Sequence, residues 1–209
     1  MRDRVPGVDR VDYGRAQWGP PVTSLSGLCL RSDTVVVGRV EGIVRQGEYP
    51  GTDSTWAMTL WRFRVERYLR ADGAPTRPEV IHVFQSGGVL EVKRDGVVNR
   101  VARVMLGDPL LNVGERYLLF LRVARSDIPA EGGGVIIRRG EFHAADRIRA
   151  KIRLVDGMTA PASDAFQRIA PREFEWGGGT LVGLTEAEAI ERVRRALAET
   201  PFHYEPGVY

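Results

Sequence analysis

Along Glu115–Val123 the residues Tyr117, Leu119 and Leu121 fall on one side of an extended chain, and Leu118 and Phe120 on the other. Successive strand side chains point to opposite faces, so this pattern predicts a central strand covered on both sides. From Thr34 to Gln46, Val36, Val40 and Val44 share one face with Gly38 and Gly42 between them. Glycine weakens a strand unless the backbone must bend or another element comes close. A long first strand, coiling as in a small barrel, is the expectation. From Thr55 to Leu69 the apolar positions are Trp56, Met58 and Leu60, then Trp61, Phe63 and Val65. That change of parity predicts one extra residue, a β-bulge, between Leu60 and Trp61. Arg62 and Arg64 then point away from the aromatics, toward solvent. A third strand covers Val80–Gln85 and ends at Gly87-Gly88, and Asp95-Gly96 between short apolar runs predicts a hairpin.

Later in the chain Ile148, Ala150, Ile152 and Leu154 alternate with Arg149, Lys151 and Arg153, the pattern of a half-buried strand. Two helices are predicted. Ser24–Arg31 carries Leu25, Leu28 and Cys29 at helical spacing. Glu186–Glu199 follows a Thr185/Glu188 capping box and carries Ala187, Ile190, Val193, Ala196 and Leu197 as its apolar stripe. The organisation is therefore an irregular arm at 1–23, rich in Gly and Pro, a β-barrel domain at 24–156, and at 157–209 an irregular excursion plus a C-terminal helix packed on the barrel. Phe166, Phe174 and Trp176 are the anchors expected in the excursion.

Composition adds constraints. The 209 residues suffice for one domain with a sizeable core, and a net charge of +3 is too small to imply a polyanionic partner. Lys93 and Lys151 are the only lysines, so 28 of the 30 basic residues are arginine. A single cysteine, Cys29, excludes an internal disulfide framework. No apolar run reaches the roughly 20 residues of a membrane span. The start MRDRVPGVDR has no apolar leader region. As written, the chain reads as cytoplasmic, or as envelope-associated or secreted if a leader has been lost.

The segments Asp33-Thr34-Val35-Val36-Val37-Gly38-Arg39-Val40, Phe63–Leu69, Ile81–Gly88 and Gly114-Glu115-Arg116-Tyr117-Leu118-Leu119-Phe120-Leu121 together resemble the bacterial OB-fold domains related to tissue inhibitors of metalloproteinases, the netrin-like group. The resemblance covers about residues 25–155 and implies a mostly-β fold: an OB-like five-stranded barrel with extra hairpin strands and one C-terminal α-helix. The animal inhibitors are similar to a clamp, offering a disulfide-fixed N-terminal cysteine to a protease zinc. This chain begins Met1-Arg2-Asp3 and gives Cys29 no partner, so that mode of inhibition does not carry over.

Candidate chemistry is sparse. Glu141 and His143, two apart on a strand, share a side and form half a metal site or a hydrolase pair. The row Arg149, Lys151, Arg153 forms a basic ladder on one strand face, a candidate binding groove for single-stranded nucleic acid. His82 is read as a rim residue. Gln85-Ser86-Gly87-Gly88 lacks the glycine two before serine that a nucleophile elbow needs. The glycine triplets at 132–134 and 177–179 lack the lysine of a phosphate loop. No metal set, catalytic residue or cofactor is expected. The function expected is a non-enzymatic interaction module with a protein partner. The alternatives are a nucleic-acid-binding barrel and a hydrolase using His143 and Glu141.

Overall fold

The computed structural model describes residues 8–14, 22, 24–50, 55–94, 96–105, 108–129, 135–145, 150–162 and 181–202. In chain order the elements are β1 (Arg10–Gly14), α1 (Leu25–Arg31), β2 (Thr34–Pro50), β3 (Thr55–Ala71), β4 (Val80–Arg94), β5 (Val97–Met105), β6 (Arg116–Val123), β7 (Ile128–Pro129), β8 (Val135–Ile137), β9 (Phe142–Ala144), β10 (Lys151–Val155), β11 (Met158–Pro161) and α2 (Glu186–Glu199).

Five strands close into the barrel that the apolar pattern predicts. β2, β3 and β4 form an antiparallel meander, and β6 pairs with the free edge of β2. The short β9 closes the seam, antiparallel to β6 and parallel to β4. Extra strands lie outside: β5 and then β1 on the far half of β4, and β10 and then β11 beside β6.

β6 is double-sided, as its sequence demands. Tyr117, Leu119 and Leu121 join Val36, Val40, Phe63, Ile81, Val83 and Leu111 inside the barrel. Leu118 and Phe120 face the other way, and with Val35 and Val37 they pack against Leu28, Cys29, Ile190 and Val193 of the two helices. At Gly38, β2 and β3 come so close that an added Cβ would lie 2.1 Å from the Arg64 carbonyl oxygen and 2.6 Å from a Phe63 ring carbon. Here glycine is required by close approach.

Arg70 of β3 fastens both helices to the wall. Its guanidinium donates to the carbonyls of Cys29 (2.5 Å) and Ser32 (3.1 Å) at the end of α1, and of Leu197 (3.1 Å) and Thr200 (2.5 Å) at the end of α2. Helix C-termini carry partial negative charge and unpaired carbonyls, and one buried cation serves both. At the other end of α2 the expected capping box is formed between Thr185 and Glu188. Arg116 holds that end to the barrel, forking between Glu66 and Glu186. Asp33, the first residue of the strand motif, is buried. Its carboxylate accepts from Val123 N–H (3.1 Å to each oxygen) and from the Thr34 hydroxyl (3.0 Å), tying the start of β2 to the end of β6.

Several expectations are corrected. The arm contains a strand: β1 runs parallel to β5, with Arg10 opposite Val101. Its residues 1–7, 15–21 and 23 lie outside the described residues. β4 passes through Gly87-Gly88 instead of ending there. It pairs with β3 up to Ser86 and with β5 from Gly87, whose φ of 109° makes the bend. β3 runs in unbroken register with β4 across Leu60 and Trp61. The extra residues lie on β2, at Glu41 and Val44, where the register with β3 shifts. The parity change in β3 has another cause: Trp61 faces the barrel interior, while Leu60 packs outside with Phe84, Ala124 and Ile137. In α2 the buried position is Ala189, and Ala187 is exposed. The strand pairing extends past residue 156, because β11 continues the sheet beside β10. Phe166, Phe174, Trp176 and both later glycine triplets lie outside the described residues.

Candidate functional site

Of the basic ladder, the described residues Lys151 and Arg153 do not form an open surface. Arg149 lies outside the described residues. Lys151 is 3% exposed, and Arg153 is mostly covered. The alternation correctly separates two faces, but neither is wet. Ala150, Ile152 and Leu154 turn toward the helices. Lys151 and Arg153 turn toward the barrel mouth, opposite Leu119 and Tyr117 of β6. Arg153 lies 3.7 Å from a Glu115 oxygen, and that glutamate also accepts from the Tyr117 hydroxyl at 2.6 Å. Burial and this carboxylate raise the Tyr117 pKa well above the usual phenol range.

Lys151 is the hub of a polar cluster inside the mouth. Its ammonium contacts Asp108 Oδ1 directly and lies 3.3 Å from the Pro109 carbonyl. Gln85 of β4 reaches the same place. Its amide donates to Pro109 O at 2.7 Å and lies 3.4 Å from Asp108 Oδ1. Its oxygen accepts from Trp61 Nε1 at 3.0 Å and from Leu111 N–H at 3.1 Å. Two strands, β4 and β10, thus grip the segment 108–112, which inserts Leu111 into the barrel core. Burial pushes the Lys151 pKa down, with Asp108 opposing that shift. Sequence reasoning missed Asp108 and Gln85, yet one signal was present. Lys151 is one of only two lysines in a chain that otherwise uses arginine.

Glu141 and His143 are each engaged elsewhere. The Glu141 carboxylate accepts from Arg138 N–H at 2.9 Å and lies 3.4 Å from an Arg45 nitrogen. His143 sits on the closing strand opposite Arg122 of β6 and Phe84 of β4, with Nδ1 3.3 Å from Ala144 O. Desolvation, and then the Arg122 charge, pull its pKa down to about 4. His82 is exposed opposite Arg62, in keeping with a rim position. Burial pushes the Cys29 thiol up to about 11 despite nearby Arg70, which makes it a poor nucleophile. Among the described residues, no three His, Cys, Asp or Glu side chains converge to hold a metal.

The exposed apolar positions lie elsewhere. Beyond Arg39, no described strand pairs with the β6-side edge of β2; backbone bonds from Val40 N–H to Glu115 O and from Gly114 N–H to Val40 O end that edge. Past this point the inserted residues of β2 turn Ile43 (47% exposed) and Val44 (46%) outward. Val113 (57%) is exposed on the loop that Gly114 pins to Val40. On the adjoining wall Arg62 and Arg64 both bond Glu41, which holds that carboxyl below its usual range. The wall thus points arginine outward, opposite the buried Trp61 and Phe63, as the sequence predicts.

No protein-family model and no curated protein sequence matches the chain. Among the described residues, no helix is long and apolar enough to cross a membrane.

Proposed function

We propose that this protein is a non-enzymatic interaction module on an OB-like barrel, and that its partner is another protein presenting an extended segment to the open edge of β2. The observation that carries this reading is the backbone edge of β2 beyond Arg39, with which no described strand pairs, together with the exposed Ile43 and Val44 on it and the exposed Val113 on the neighbouring loop. An unpaired strand edge offers a row of donors and acceptors, and adjacent apolar side chains supply specificity. On this wall Arg62 and Arg64 meet Glu41, Arg64 also lies near Glu79, and Arg39 bonds the Gly114 carbonyl, so cations are in excess of carboxylates among these groups. An apolar segment with acidic flanks is the matching chemistry. The barrel order, a three-strand meander with a parallel closing contact, supports the OB-like reading.

The nucleic-acid reading loses its motivating surface, because Lys151 is buried and Arg153 faces Glu115. The test is affinity capture from the native host with wild type, with Ile43→Lys/Val44→Lys, and with Val155→Lys/Met158→Lys at the opposite edge. A captured protein, identified and purified, is expected to bind wild type and the opposite-edge variant but not the β2-edge variant. Equal retention by all three overturns the proposal. So does salt-dependent binding of an oligonucleotide by wild type with no protein partner.

A further inference from the structure

The contact between Lys151 and Asp108 has the composition of a reaction site as well as that of an ion pair. Both side chains are more than nine-tenths buried, and they belong to segments 43 residues apart. The amine meets a carboxyl oxygen directly, and the Pro109 carbonyl 3.3 Å away accepts an amine proton. The amide of Gln85, 3.4 Å from the same Asp108 oxygen, is a donor placed where charge develops when that carboxyl carbon is attacked. Leu111, Leu119 and Trp61 surround the group and keep water away. We propose that Lys151 and Asp108 condense into an intramolecular amide, a covalent cross-link between the 108–112 segment and β10.

The step balances without an external reagent. One proton passes from the ammonium to the carboxylate, giving a neutral amine and a carboxylic acid. The Nζ lone pair attacks Cγ and forms the C–N bond. The C–OH bond then breaks, and the hydroxyl leaves with one amine proton as water. Burial favours the neutral amine that this needs, as the lowered Lys151 pKa indicates. Holding the two groups in contact raises their effective concentration far above that of free reactants. The dry mouth disfavours the reverse hydrolysis.

The test is the intact mass of the full chain under denaturing conditions. Wild type is expected to weigh one water less than its sequence, and its digest to contain a branched peptide joining the Asp108 and Lys151 fragments. Asp108→Ala and Lys151→Arg should show the full sequence mass. Asp108→Asn, which keeps the shape and offers ammonia as the leaving group, should weigh one ammonia less than its own sequence. A wild-type chain that is folded by circular dichroism and still at full sequence mass after days of incubation overturns the proposal, whether or not any variant folds.

Discussion

Replacing Arg70 with methionine keeps the length and apolar stem of the side chain and removes the charge. The guanidinium is a side chain with 8% exposure, donating to four helix-terminal carbonyls. Charge-assisted hydrogen bonds contribute about 1.5–3 kcal/mol each. The four do not add fully, because carbonyls at a helix end recover some water and neighbouring bonds are coupled. Part of the loss also offsets the cost of burying the cation. A net destabilisation of roughly 3–5 kcal/mol follows, a large share of the ~5–15 kcal/mol that a domain has. Urea unfolding followed by tryptophan fluorescence reads this directly. With a slope near 2 kcal/mol per molar, the midpoint should fall by about 2 M. Arg70→Lys should recover only part, since an ammonium cannot span two helix ends. The last turn of α2 has no basic residue of its own, so amides there should exchange faster in Arg70→Met than amides of the barrel strands. A midpoint within about 0.5 M of wild type would refute the account of Arg70 as the clamp for both helices.

Three further outcomes are expected. Gly38→Ala should cost at least ~3 kcal/mol in the same unfolding assay, because the new methyl would meet backbone at 2.1 Å and β2 and β3 would have to separate. His143 has a folded-state pKa near 4 against 6.5 for a free imidazole, so between these pH values the unfolded chain binds more protons. Its contribution is present above pH 6.5 and is lost as pH falls toward 4, up to ~3 kcal/mol; unfolding midpoints of wild type and His143→Gln at pH 7 and pH 4.5 should show a smaller drop in the variant. Thr185→Ala removes one side of the capping box and should lower stability by about 1 kcal/mol, with thermal unfolding followed by circular dichroism as the measurement.

The parts of the fold that sequence made legible are those in which one residue's environment is set by its own strand or helix. β6 shows this best: adjacent large apolar residues require cover on both faces, and the interior and helix-side cores supply it. Thr185 with Glu188 and the hairpin of β4 into β5 are equally local. What stayed hidden depends on two segments meeting. The parity change at Leu60 looks the same whether a bulge restores one face or a second cluster covers the other. Only Phe84 and Ile137, which come from far along the chain, decide it. Gly87-Gly88 likewise serves a strand end or a strand bend, and the partner strand β5 selects the bend.

The same logic explains why the candidate site was misplaced. An alternating row of arginine and lysine looks like a solvent face, because a lone charge is costly to bury. That inference fails when a distant segment brings the counter-charge, and Asp108 is such a segment, reading on its own as ordinary turn chemistry before proline. Gln85 was equally silent, lying in a strand whose neighbours are apolar. The three side chains acquire meaning only when β4, β10 and the 108–112 loop close on one another. The mouth of this barrel is therefore a sealed polar core, and its interior offers no open groove to a ligand at Lys151. The proposed binding edge lies on the outside, where Ile43 and Val44 of β2 are exposed.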